Sequence, residues 1–226
     1  MDFTERNKKV AEARWKKELS EKKKEILDNN ESLFLKSVIC GFLAGDGSVQ
    51  IRKEKTFFHY QIDFFPDDHL MLKTYQDAIF KIYNKTCSVR RRDNVFAVRL
   101  TSRIITEDIL KYARFGVKEW TLPHKLFSVK GAKEAWLKAF FSAEAYVTDK
   151  IIRIQTINKE GMKEVSCQLE SIGIQNNYYE YSPKNKNHSG VSIVIITKKA
   201  ARKRFYDTIG FWHSKKTEAL KKALDL

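Results

Sequence analysis

Two hydrophobic periods alternate along the chain. Residues 4–27 lack Gly and Pro, and Trp15, Leu19 and Ile26 fall four and seven apart, which predicts an amphipathic helix. Residues 39–47, Ile-Cys-Gly-Phe-Leu-Ala-Gly-Asp-Gly, are apolar or small on every side until the closing Asp46 and so predict a buried helix. From Ser48 the period drops to two. Val49 and Ile51 alternate with Gln50 and Arg52, and after a charged turn Tyr60, Ile62 and Phe64 alternate with Gln61 and Asp63, the signature of a half-buried hairpin. Pro66-Asp67-Asp68 then opens a helix whose buried positions are Leu72, Tyr75, Ile79 and Ile82. A second hairpin follows over 87–92 and 95–101, turning at Asp93-Asn94, and a helix over 104–114 ends at Gly116.

The same order returns in the second half. The pattern predicts a short hairpin over 146–158, a helix over 159–172 closed by Gly173, strands over 177–182 and 191–197, and a helix over 199–208 closed by Gly210. Each half reads αββαββα, with one sheet face apolar under helices and the other polar. We therefore expect an α+β molecule with an N-terminal helical extension (1–30), a first repeat (31–130) and a second repeat (131–226). The Lys- and Asn-rich loop 183–190 is expected to be mobile and, through Lys184 and Lys186, to lie against phosphates.

The repeat is sharpest where its chemistry would be. Ninety-eight positions after Asp46, Leu-Lys-Ala-Phe-Phe-Ser-Ala-Glu-Ala (137–145) again ends an aromatic and small-residue run on one carboxylate, Glu144. Gly41 and Gly45 lie four apart, as do Ala139 and Ala143, so each helix carries a strip without side-chain bulk. Two such strips allow two backbones to approach closely. Packed together, the helices set Asp46 and Glu144 side by side.

Both segments resemble the LAGLIDADG motif of homing endonucleases, the first closely and the second loosely. The likeness extends over about residues 31–226 and to a single-chain, two-repeat form. Two departures stand out: the earlier acidic position of the motif is Ala44 in one copy and Ser142 in the other, and Ala145 replaces the closing glycine. The resemblance implies a fold with the motif helices at the centre and two antiparallel sheets forming a saddle over duplex DNA. It also implies that Asp46 and Glu144, with the backbone at Gly47 and Ala145, hold a divalent ion: Mg2+, with Mn2+ or Ca2+ able to occupy the same place.

Composition narrows the partner. The formal charge is +15, of which residues 1–30 hold only +2, so the repeats carry the charge that attracts a polyanion. No apolar run is long enough to span a membrane and no secretory signal opens the chain. Cys40, Cys87 and Cys167 match no zinc spacing and read as thiols of a reducing, cytoplasmic compartment. The five histidines have no metal-type spacing either. Within the N-terminal helix, Arg14, Lys16 and Lys17 are candidate phosphate contacts beside the plainer reading of a solvated helix.

Phosphodiester hydrolysis requires a nucleophilic water, neutralised phosphate charge and a stabilised leaving oxygen. A basic residue from each half completes such sites in the resembled family, and here Lys215, in the segment Gly210-Phe211-Trp212-His213-Ser214-Lys215-Lys216, and Lys118, after Gly116-Val117, are the candidates. Base reading is expected from the polar strand faces: Gln50, Arg52, Gln61 and Asp63 in the first half, and Lys150, Arg153 and Gln155 in the second. Arg90, Arg91, Arg92 and Arg99 add base or phosphate contacts. The reading is a site-specific, Mg2+-dependent endonuclease that acts as a monomer on double-stranded DNA. An RNA maturase, with structured RNA as partner, or a non-cleaving nucleic-acid-binding protein such as a regulator, stands as the alternative.

Overall fold

The computed structural model describes residues 28–54, 57–183 and 190–226, so the 4–27 helix, its basic side chains, and Lys184 and Lys186 lie outside the described residues. The first half comprises α1 (Asn30–Asp46), β1 (Gly47–Glu54), β2 (Phe57–Phe64), α2 (His69–Tyr83), β3 (Ser88–Arg92), β4 (Val95–Thr101) and α3 (Arg103–Ile109). After a connector with one 3-10 turn (His124–Ser128) come α4 (Ala132–Glu144), β5 (Tyr146–Val147), β6 (Ile152–Thr156), α5 (Lys159–Ser171), β7 (Asn177–Tyr181), β8 (Val191–Ile196), α6 (Lys199–Thr208) and α7 (Ser214–Leu224). The two antiparallel four-stranded sheets have the same order, β1-β2-β4-β3 and β5-β6-β8-β7. The expected α+β class and its internal symmetry are both present.

Local chemistry accounts for the element ends. Asn29 and Ser32 form a reciprocal capping box on α1, and the Asp68 carboxylate accepts from Leu70 N–H at the start of α2. One boundary and two elements differ from expectation. The helix expected to reach Arg114 stops at Ile109, because Lys111 and Tyr112 donate to carbonyls only three residues back and tighten the turn. The C-terminal helix α7 and the 3-10 turn were not expected. Ala145 costs nothing at the end of α4, since both Gly47 (φ −110) and Ala145 (φ −73) are extended and both helices run straight into strands. What Gly47 supplies is space: a Cβ there would lie 2.3 Å from Leu43 Cα.

The centre is the α1–α4 pair. A Cβ on Gly41 would meet the Trp136 carbonyl oxygen at 2.4 Å and Ala139 Cβ at 2.7 Å, and one on Gly45 would meet Ala143 Cβ at 2.5 Å, so the small strips do face each other. From this pair apolar side chains reach into both halves. Phe42 packs with Phe64 and Tyr75 under the first sheet, and Phe141 with Phe205 and Phe211 under the second. The connector is held to the second half by Asn158, whose amide donates to Trp120 O at 2.6 Å while its carbonyl caps α5. Close packing of α1 on α4 thus transmits one fixed geometry to both sheets.

Candidate active site and nucleic-acid interface

Asp46 and Glu144 are the last residues of α1 and α4. Because the helices run side by side to these ends, Glu144 Cγ lies 3.4 Å from the Cβ position of Gly45. Both carboxylates are half-buried, and among the described residues neither accepts a hydrogen bond or joins an ion pair. Burial pushes Asp46 up from its ordinary 3.8 to about 6. It pushes Glu144 up from 4.5 to about 7, with the negative charge of Asp46 adding to the shift. Each acid also sits at the negative end of its helix dipole. The pair is thus short of positive charge.

Among the described residues, the lysine whose charge reaches both acids is Lys216. Lys216 Nζ donates to Ser142 O (2.6 Å) and Ala143 O (2.8 Å), the open carbonyls of the last turn of α4. Its pKa is lowered, chiefly by burial, with the charges of Asp67, Asp46 and Glu144 opposing the shift. Lys215, the expected residue, is exposed on the same first turn of α7. A signal for the inward position of Lys216 was in the chain: Lys216, Leu220 and Leu224 are spaced by four, and both leucines are buried, so Lys216 shares the inward stripe while Lys215 turns away.

Four further residues, none of them expected at the site, aim α7 at it. Ser142 Oγ accepts from Trp212 N–H at 2.7 Å, which fixes the segment entering α7. Asp68 accepts from Ser214 N–H at 3.0 Å, and the buried His213 Nε2 stands 3.3 Å from Asp67, whose carboxyl that contact holds below its ordinary range. The first repeat's Pro66–Asp68 turn thereby holds the second repeat's Lys216 beside Asp46.

The Glu144 side differs. Gly116, Val117 and Trp120 line a cavity of about 310 Å3 together with Glu144, Gln155 and Val191. The segment after α3 does reach the site, as expected, but Lys118 is exposed and does not line the cavity. Among the described residues no group of three His, Cys, Asp or Glu side chains is arranged to hold a metal ion. The donor set is two carboxylates in an open position. That fits a hard divalent ion, which binds through one or two carboxylates and completes its shell with water and phosphate oxygens. It does not fit a closed structural metal cage.

Register places the remaining candidates. On the first sheet, Ser48, Asp63, Arg99 and Ser88 form one row, with Gln50 and Gln61 in the next and Arg52 beyond, all on the face away from the helices. Arg90 and Arg92 share that face, and with Arg99 they line a shallow groove. Two expectations change. Arg91 has the opposite parity and pairs with Phe96, so it belongs to the helix-bearing side of the edge strand rather than to the Arg90–Arg92 row. Asp63 is on the outer face but only 6% exposed; Arg99 Nε bonds it at 2.8 Å and Gln61 Nε2 also donates to it. It organises its neighbours instead of presenting a free acceptor. On the second sheet, Arg153 and Gln155 face outward, with the Arg153 guanidinium 5.2 Å from the Tyr146 ring centre, and Lys150 is exposed at the β5–β6 turn.

Comparison with known proteins follows the same lines. Residues 132–210 match the family model of a LAGLIDADG-like domain. No curated protein sequence matches the chain. Among solved structures, one of the mesophilic variants from the homing endonuclease I-DmoI aligns over 80% of this chain and 97% of its own, with 20% identity and a TM-score of 0.62. A second I-DmoI structure, in complex with DNA and Mn, aligns over 79% and 97% with 19% identity and the same TM-score. I-LtrWI, a LAGLIDADG homing endonuclease bound to target DNA, aligns over 87% and 91% with 13% identity and a TM-score of 0.57. The chain has the two-domain fold of these homing endonucleases.

Proposed function

We propose that the protein is a site-specific endonuclease that hydrolyses both strands of double-stranded DNA, with Asp46 and Glu144 holding the divalent metal. The observation that carries this reading is the pair of half-buried acids at adjacent helix ends. Both are raised in pKa by burial and neither has a hydrogen-bond partner among the described residues, a costly arrangement in a fold shared with DNA-bound nucleases. Residues 31–130 and 131–226 would each bind one half-site, so a monomer suffices, and its place is inside the cell with access to DNA.

A divalent ion at this place supplies charge neutralisation at the phosphate and a bound water of lowered pKa; Mg2+ is the ion we propose, with Mn2+ or Ca2+ as substitutes. The chain's own residues do the rest. Asp46 and Glu144, each having released its proton to solvent, would hold the ion as carboxylates, with the backbone at Gly47 and Ala145 beside them. Lys216 adds a fixed ammonium next to the carboxylates. Because it is anchored on the carbonyls of Ser142 and Ala143, it can orient water or a phosphate oxygen without first losing side-chain freedom. The outer sheet faces position the duplex, with Gln50, Arg52 and Gln61 toward base edges and Arg90, Arg92 and Lys150 toward bases or phosphates.

The test is incubation with Mg2+ and a randomised duplex library, followed by sequencing of the cut ends, for the wild type and for Asp46→Asn and Glu144→Gln. We expect one family of cut sites for the wild type, and lost cleavage with retained duplex binding for both variants. Full cleavage by either variant would remove that residue from the metal site. Selective binding without cleavage under any divalent ion would leave a nucleic-acid-binding protein on this fold.

A further inference from the structure

The two outer sheet faces are built alike and furnished differently. Topology makes β4 equivalent to β8 and β3 equivalent to β7. At the outward positions of β3 and β4 the first sheet presents Ser88 with Arg99, Arg90 with Ala97 and Arg92 with Val95. At the matching positions the second sheet presents Asn177 with Ile195, Tyr179 with Ile193 and Tyr181 with Val191, so that Tyr179, Tyr181 and Ile195 stand where Arg90, Arg92 and Arg99 stand in the first sheet, while Val194 and Ile196 of the other parity fill the core. Ile193 and Ile195 are half-buried, and Tyr179 and Tyr181 are 52% and 60% exposed. An apolar patch of this kind on a sheet that already covers its core with its other face calls for a partner.

The patch is continuous with the candidate active site. Val191 on the same face lines the cavity that reaches Glu144, and Arg153 and Gln155 occupy the neighbouring strand. Resting on the reading of the protein as a DNA endonuclease, the occupant of this face is one half of the target duplex, presented through its major groove. Arginine rows suit guanine, whose edge offers two acceptors, whereas Ile side chains can make no hydrogen bond to any base. The one apolar group that the major groove displays is the thymine 5-methyl.

We propose that the second repeat reads its half-site through thymine methyl groups packed on Ile193 and Ile195, while the first repeat reads its half-site through arginine hydrogen bonds. Target recognition is then chemically asymmetric, with a thymine-dependent half and a guanine-dependent half. Tyr179 and Tyr181 extend the same apolar surface toward the sheet edge.

The experiment uses the full chain and duplexes selected by binding from a random library in Ca2+ buffer. The halves are assigned by Arg99→Ala, which should relax base preference in the first repeat's half alone. Deoxyuridine then replaces thymidine in one half at a time, removing methyls without touching any hydrogen-bonding edge. Removing a packed methyl should weaken binding about fourfold, so two should cost about tenfold or more in the second repeat's half. The same exchange in the other half should cost less than about twofold. Ile195→Ala should lower the dT-to-dU ratio toward one at a single position, and its melting temperature reports whether it is folded. Equal sensitivity of the two halves, or no preferred thymine in the second, would overturn this inference and leave the endonuclease reading standing. Absence of any site-selective duplex binding would overturn both.

Discussion

The α1–α4 contact allows a swap experiment with a signed outcome. In Gly45→Ala the new Cβ would lie 2.5 Å from Ala143 Cβ, against an ordinary carbon–carbon contact of about 3.5–4.0 Å, so the helices must part by roughly 1 Å. Overpacking of this size costs about 1–3 kcal/mol. Replacing a helical glycine by alanine returns about 1 kcal/mol in propensity. The net loss is therefore up to about 2 kcal/mol, which at about 2–4 °C per kcal/mol is at most roughly 4–8 °C in Tm for a chain of this size. Ala143→Gly alone should also destabilise, by about 1 kcal/mol, through propensity. Combined, the two changes exchange the partners: propensity cancels, the methyl moves from α4 to α1, and stability should return to within about 0.5 kcal/mol of wild type. The coupling would then be about 1–3 kcal/mol. Gly41→Ala with Ala139→Gly is the internal control. There the new Cβ also meets the Trp136 carbonyl oxygen at 2.4 Å, and backbone cannot be trimmed, so no rescue is expected. Urea unfolding of the four single and two double variants, in chelator, measures all of this. Additive losses in the Gly45/Ala143 pair, or equal rescue in both pairs, would refute the packing argument.

Other outcomes follow from the same geometry. Lys216→Ala should slow cleavage by about 10²–10³-fold with a smaller change in DNA affinity, whereas Lys215→Ala should stay within a few-fold; single-turnover kinetics separate them, and the reverse order would restore Lys215. Lys36 is fully buried, with Nζ 2.8 Å from Asp108 and 2.5 Å from Asp28. Lys36→Ala should therefore destabilise by about 3–5 kcal/mol by leaving Asp108 short of a partner, and thermal melts showing less than about 1 kcal/mol would mean that Lys111 and Tyr83 satisfy it alone. The folded state raises the pKa of both Asp46 and Glu144, so it holds their protons more tightly than the unfolded chain does. Their contribution to stability is full below about pH 4 and is lost as pH rises through about 6 to 7. In chelator, Tm should fall across that window in the wild type and fall less in the Asp46→Asn/Glu144→Gln double variant; identical slopes would show that these acids are not the source.

The chain by itself determined the repeat, the order of elements and the pairing of Asp46 with Glu144. All three are written in local period and composition: alternation marks strands, a strip of Gly and Ala marks a close helix contact, and a repeated terminal carboxylate marks the end where that contact closes. Lys215 was the expected lysine, although a spacing of four from Leu220 and Leu224 puts Lys216 on the inward stripe. Tertiary structure alone decided which polar groups stay free. Strand parity put Asp63 on the outer face, but only the arrival of Arg99 from β4 and of the Gln61 side chain shows it already engaged. Ser142 reads as a tolerated substitution in the motif until Trp212, seventy residues later, donates to it, and His213 reads as incidental until Asp67 meets it from the other repeat. Period reports which face a side chain takes; its partners come from distant segments, and the register and docking of those segments are set by the packing of α1 on α4.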